Sequence, residues 1–202
     1  MKKFELTAEF VTNVFGKKLF RIKALVAFGD VSAGELGGFV EKEENLSNNG
    51  NAWVSGNACV YGDAQVYGDA QVSGDAQVSG NAWVSGNARV SGDAQVSGNA
   101  WVSGNAWVSG DARVSGDARV YGDADYAVVT GFGHCFRATT FFRCKDKILR
   151  VQCGCFYGDL AKFREIVKKT HGDSKYAKEY LAIADLMELH FSDEEEKQEA
   201  DE

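Results

Sequence analysis

The sequence predicts a mainly β protein: an array of stacked rungs, preceded by a β cap and followed by a small α+β domain. Three observations carry that reading. A six-residue phrase, Asn/Asp-Ala-x-Val-Ser/Tyr-Gly, repeats twelve times without a break from Asn51 to Gly122. A fixed period decides architecture before any single residue does. The 202 residues contain no proline, where average usage of about 5% would give roughly ten. Paired strands account for this, because proline cannot donate to a ladder. After Asp123-Ala124-Asp125-Tyr126 the period fails, and helical spacing appears further on.

Taken in order, residues 2–10 and 18–27 alternate polar and apolar and read as a hairpin turned near Asn13–Lys17. Gly29-Asp30-Val31 and Gly37-Gly38-Phe39-Val40 read as degenerate turns leading into the array. Terminal repeats are expected to be atypical, since they close an open end. The cap is therefore assigned to 1–44 and the array to 45–125. Within each hexad, Val and the Ala two places before it point one way, while the x residue and the Ser/Tyr point the other. Gly followed by Asn/Asp supplies a corner, where positive φ is tolerated.

An aliphatic residue followed four places later by a small one resembles the hexapeptide-repeat family of left-handed parallel β-helices. The resemblance covers 51–122. It implies a triangular prism with three hexads per coil, hence four regular coils, about 20 Å tall at about 4.8 Å per rung. The left hand comes from the resemblance alone. Such scaffolds serve many chemistries, so the fold is nearly silent on function.

Beyond the array, Tyr126–Thr130, Thr139–Arg143 and Ile148–Cys153 read as strands. Asp159 is placed to cap a helix running to about Lys169, with Leu160, Phe163, Ile166 and Val167 on one face. Ser174 is placed to cap a second helix to about Phe191, with Tyr180, Ile183, Ala184, Met187 and Phe191 on one side. This α+β domain is assigned to 126–191. The remainder, 192–202, is read as an acidic disordered tail.

The net charge of −7 is unevenly spread. Residues 193–202 hold seven acids and one Lys; 1–50 balance; 51–124 carry seven Asp against three Arg; 125–192 carry eleven basic against eight acidic residues. No basic stripe points to direct nucleic-acid binding. No run approaches the roughly 20 apolar residues of a membrane helix. The start, Met1-Lys2-Lys3-Phe4-Glu5, is not an apolar leader, and five cysteines fit a reducing cytoplasm.

Residues 18 apart should stack. One face then shows Trp53, Gln71, Arg89 and Trp107; a second Cys59, Gln77, Gln95 and Arg113; the third Gln65, Trp83, Trp101 and Arg119. All four tryptophans are expected to point outward. Trp83 and Trp101 fall on adjacent rungs, with Tyr67 and Tyr121 above and below. Such an aromatic cluster suits a protein interface, although stacked aromatics also stabilise a sheet by themselves. The corner column Asp75, Asp93, Asp111 sets three carboxylates about one rung apart. Asp and Asn interchange as turn residues. Alternatively, the row imitates a phosphate backbone.

Catalytic chemistry is not expected. The acyltransferases and carbonic anhydrases of the resembled family use His near or on the coils, and 51–124 contain none; the three are His134, His171 and His190. His134-Cys135, Cys144 and Cys153-Gly154-Cys155 are the residues from which a zinc site could be drawn, but the spacing matches no familiar knuckle. No cofactor or metal is assigned.

The phrases Glu43-Glu44-Asn45-Leu46-Ser47, Asn51-Ala52-Trp53-Val54-Ser55-Gly56, Cys153-Gly154-Cys155-Phe156 and Thr170-His171-Gly172-Asp173-Ser174-Lys175-Tyr176 resemble a family of bacteriophage and prophage proteins. Some β-helical phage proteins of this kind inhibit CRISPR nucleases such as Cas9. The resemblance implies a non-enzymatic inhibitor acting in the host bacterial cytoplasm by occupying a protein surface or imitating DNA. Trp83, Trp101, Tyr67 and Tyr121 would be its anchors, and Asp75, Asp93 and Asp111 its charge mimics. A structural or self-associating phage protein and a nucleotide sponge remain the alternatives, with homo-oligomerisation open.

Overall fold

The computed structural model describes residues 2–192. The acidic tail therefore lies outside the described residues, apart from Ser192. The chain divides into two compact units, Met1–Asp123 and Ala124–Glu202.

The first unit opens with strands β1 (Phe4–Thr12) and β2 (Lys18–Ala24), an antiparallel hairpin with a bulge between Leu6 and Phe10. Asn13 makes its turn by accepting from the amides of Phe15 and Lys17. Strand β3 (Leu36–Val40) pairs antiparallel with β2 and parallel with the solenoid. Strands β4 to β15 follow, one per hexad: Trp53–Val54, Cys59–Val60, Gln65–Val66, Gln71–Val72, Gln77–Val78, Trp83–Val84, Arg89–Val90, Gln95–Val96, Trp101–Val102, Trp107–Val108, Arg113–Val114 and Arg119–Val120.

These form three parallel stacks. One is β3-β5-β8-β11-β14, continued by the hairpin into seven strands; the others are β4-β7-β10-β13 and β6-β9-β12-β15. Within the array every pair is offset by 18 residues, as in Trp83↔Trp101 and Arg89↔Trp107. The chain is a β-solenoid with the three faces expected, but it is longer than the four regular coils. Phe39 pairs with Cys59 and Leu46 with Val66, so residues outside the hexad pattern build one further coil. There the offset is 20, because Asn48-Asn49-Gly50 widens the corner.

The Ala and Val of all twelve hexads are fully buried. They fill the lumen, and small and branched side chains alternate at every level. The corner glycines are left-handed. Gly68 has φ +71°, and a Cβ there would lie 3.0 Å from the Gly86 nitrogen. Glycine is thus required both for the turn and for rung spacing.

The ladder has a direction. Trp53 N donates to Ala70 O, Gln71 N to Ala88 O and Arg89 N to Ala106 O. These bonds leave carbonyls such as Ala52 O facing the first open end and N–H groups such as Trp107 N facing the last. Each end is closed by groups of the matching kind. Lys3 Nζ donates to Ala52 O (2.8 Å) and Gly50 O (3.4 Å). Asn45 Nδ2 donates to Ala64 O (2.8 Å) and Gly62 O (3.1 Å). At the far end the Asp123 carboxylate accepts from Trp107 N at 2.8 Å.

Lys3 is 3% exposed and lies over the Phe28 ring. Burial pushes its ammonium down to about 8 from 10.5, with the Asp69 charge opposing the shift. Between those values the unfolded chain holds a proton that the folded chain has lost, so this group adds stability as pH rises from about 8 to 10.5. The urea midpoint of the parent minus that of Lys3→Met is expected to grow across that window. A difference that stays flat or falls would contradict it.

The second unit contains β16 (Tyr126–Val129), β17 (Thr139–Arg143), β18 (Leu149–Cys153) and β19 (Phe156–Asp159), an antiparallel sheet in chain order. Helices α1 (Leu160–His171) and α2 (Lys175–His190) follow. The caps fall on the expected residues: Lys162 N donates to Asp159 Oδ1 at 2.8 Å and Ala177 N to Ser174 Oγ at 3.3 Å. Phe141 and Val151 of the sheet pack with Phe163, Tyr180, Ile183 and Met187 of the helices. Ile166, expected on the buried face of α1, is instead 41% exposed. No helix among the described residues is long and apolar enough to cross a membrane.

Candidate functional site

The third face of the solenoid carries the densest exposed aromatic chemistry. Strands β9 and β12 place Trp83 and Trp101 in register. Their rings stack 5.0 Å apart, 7° from parallel. Tyr67, one rung earlier, meets Trp83 edge-on at 5.9 Å. The position expected for Tyr121 against Trp101 is held by Arg119, whose guanidinium lies 4.9 Å from the Trp101 ring centroid. Arg119 is itself fixed by the carbonyls of Asn99 (3.0 Å), Ala118 (2.9 Å) and Asp117 (3.3 Å). Trp101 and Tyr121 are exposed, Trp83 and Tyr67 half-buried. A cleft of about 480 Å³ adjoins the start of the column, lined by Glu43, Glu44, Ser47, Gln65 and Tyr67 among others.

This arrangement is rigid for a physical reason. The lumen beneath is filled by fully buried Ala and Val side chains, and each coil is hydrogen-bonded to the next. Stacked indoles are also worth about 0.5–1.5 kcal/mol beyond the area they bury. A partner therefore meets a surface whose side chains are already ordered, which reduces the entropy lost on binding. Arg119 had no place among the residues singled out from the sequence. Its signal was present in the 18-residue register, which puts it directly on Trp101.

The other tryptophans differ. Trp53, expected to point outward, is 2% exposed and meets Phe28 edge-on at 5.4 Å. The irregular segment after β2 covers it, and hexad periodicity carries no information about that segment. Trp107 is 52% exposed on the first face and donates to Ser91 Oγ at 3.1 Å.

Asp75, Asp93 and Asp111 are all exposed and stand in one corner column. That corner joins the first and second faces, whereas Trp83 and Trp101 occupy the third. The two groups of candidate residues are not brought together. The column also differs from its neighbours. Asn81 donates to Asn99 and Asn99 to Asp117, and Asn87 donates to Asn105. In the acidic column only Asn57 donates, to Asp75 at 3.1 Å. Three successive carboxylates can accept but not donate, so no amide ladder runs along this corner.

The cysteines of the second unit are dispersed. Cys153 ends β18, Gly154 turns with φ +58°, and Cys155 is exposed in the hairpin turn. Cys153 and Cys155 therefore do not share a strand. Cys144 is buried, with its Sγ 3.9 Å from Tyr157 Oη. Cys135 lies in the loop before β17, 3.5 Å from His134 Nδ1. Among the described residues no three His, Cys, Asp or Glu side chains are grouped to hold a metal.

A ladder of coils, each built of three six-residue repeats and carrying an ordered outward column, defines a β-solenoid repeat protein, and comparison with known families agrees. The family model described as the YdcK beta solenoid repeat matches residues 52–68, 64–80, 70–86, 76–96, 94–110 and 112–124. The array is thus similar to that repeat along nearly its whole length. No curated protein matches the chain.

Proposed function

We propose that this protein is a non-enzymatic binding protein that acts by laying the third face of its solenoid against a protein target. The observation that carries the proposal is the Trp83–Trp101 stack, ordered at one end by Tyr67 and at the other by Arg119. Trp, Tyr and Arg are the residue types that dominate binding hot spots. Following the resemblance to phage and prophage proteins, the proposed target is a defence nuclease of the Cas9 type in the bacterial cytoplasm. Inhibition would come from occupancy of a surface that guide, target DNA or a moving domain requires. DNA mimicry by Asp75, Asp93 and Asp111 would need a second contact, since their corner lies opposite the aromatic face.

The test is capture by the tagged protein from lysate containing a Cas9–guide complex, with a cleavage assay alongside. Enrichment of the nuclease together with loss of cleavage is expected. Enrichment of a different defence protein would move the target within the same class. Recovery of the bait alone, with cleavage intact, would overturn the proposal. End-to-end assembly as a fibre is the less supported alternative, because Lys3, Asn45 and Asp123 already occupy some of the hydrogen-bonding groups at the two ends.

A further inference from the structure

The second unit holds a cavity of about 230 Å³ that plays no part in the aromatic face. Its walls are mostly apolar: Phe163, Ile166 and Val167 from α1, Phe156 from β19 and the ring of Tyr180 from α2. This explains the position of Ile166, whose exposed surface lines the cavity. His134 and Arg137 from the loop before β17, and His171 at the end of α1, supply the polar part of the lining.

The cavity is built rather than incidental. Gly133 has φ +72°, and a Cβ there would lie 2.0 Å from Tyr180 Oη, so only glycine lets the loop pass over that hydroxyl. Gly133 N donates to Glu179 Oε2 at 3.0 Å, which ties the loop to α2. His134 and His171 pack on Tyr176, at 5.7 and 6.3 Å.

Charge and shape narrow the occupant. The lining contains an arginine and two histidines but no Asp or Glu. Arg137 is exposed and makes no ion pair among the described residues. Three aromatic rings in the walls favour a flat apolar body. An apolar cavity of about 150 Å³ accommodates benzene, so this one has room for a ring and a small head group.

We propose that this cavity binds a small aromatic monocarboxylate, with its ring against Phe156, Phe163 and Tyr180 and its carboxylate paired with Arg137 at the mouth. Burial, and then the neighbouring Cys153 thiol, push the Tyr180 hydroxyl up to about 12. It therefore stays uncharged at physiological pH, with its hydrogen directed at Phe132 O (3.5 Å), and does not repel an anion. The cavity shares no residue with the aromatic column, and either reading can fail without the other.

The full chain should be titrated calorimetrically with benzoate and indole-3-carboxylate, and with benzamide as the neutral counterpart. Saturable binding of a carboxylate is expected, at least tenfold tighter than the amide. Arg137→Gln should weaken it about tenfold or more with an unchanged melting temperature, because that side chain lies outside the core. Cys135 also lines the cavity, so bound carboxylate should slow its alkylation by iodoacetamide, while Cys59 in the first unit reacts as before. Equal affinity for acid and amide, insensitivity to Arg137→Gln, or full competition by inorganic phosphate would each overturn the proposal. So would the absence of saturation.

Discussion

Trp83→Ala combined with Trp101→Ala is expected to weaken binding of the captured target by at least a hundredfold while leaving the solenoid folded. Buried hot-spot tryptophans cost about 2 kcal/mol or more on truncation, and each 1.4 kcal/mol is about tenfold in affinity. The fold should tolerate the change, because both rings lie outside the Ala/Val lumen, and Trp101 is 37% exposed. Trp107→Ala removes an indole of greater exposure on the first face, so it is the matched control and should leave affinity unchanged. Arg119→Ala should fall between, since it frees one face of Trp101 without removing a ring. Surface plasmon resonance on the four proteins decides the matter. Equal losses for Trp107→Ala and for the double variant would indicate that the third face has no special role. Charge reversal at Asp75, Asp93 and Asp111 that leaves inhibition intact would remove DNA mimicry from the account.

The largest effect on stability is expected at Asn45. Its side chain is fully buried and makes three hydrogen bonds: it accepts from Lys42 N at 2.9 Å and donates to the carbonyls of Gly62 and Ala64. Asn45→Ala leaves two carbonyls of the next rung without donors in a buried place, at a cost of about 3 kcal/mol. Asn45→Asp is nearly isosteric yet should be worse, because a carboxylate faces those carbonyls with no hydrogen to give. That ordering separates the hydrogen-bonding role from simple filling of space. Urea unfolding supplies the stability difference. Hydrogen exchange should show the loss concentrated in the first coil, as expected where each repeat touches only its neighbours. If Asp were tolerated better than Ala, the explanation by carbonyl capping would fail.

The three faces and their contents were legible in the sequence, because an 18-residue coil leaves no freedom in which side chains stack. The lumen was legible for the same reason. The extra coil was not: Phe39 and Leu46 reach their partners at an offset of 20, and neither sits in a hexad. The burial of Trp53 depends on Phe28, in a segment with no period at all. The helix caps Asp159 and Ser174 could be read because capping is local chemistry, whereas β19 escaped notice because its four residues, with a glycine among them, run straight into the cap of α1. The separation of the acidic corner from the aromatic face follows from the register already in hand. It becomes plain only when corners, and not just faces, are traced round the coil.

One feature of the solenoid bears on how its display could change. A coil is three hexads, so loss or gain of one hexad turns everything beyond it by one face. Removing Asn87–Gly92 would bring Trp107 onto Trp83 and swing Trp101 round to the second face. Removing Asn87–Gly104, a whole coil, would leave every remaining side chain on its own face and set Arg119 directly on Trp83. Near-identical repeats are prone to unequal exchange. In this chain such an exchange works as a dial: a crossover that shifts one hexad re-sorts the outward groups and corner residues beyond it into new columns, while the Ala/Val lumen keeps its pattern.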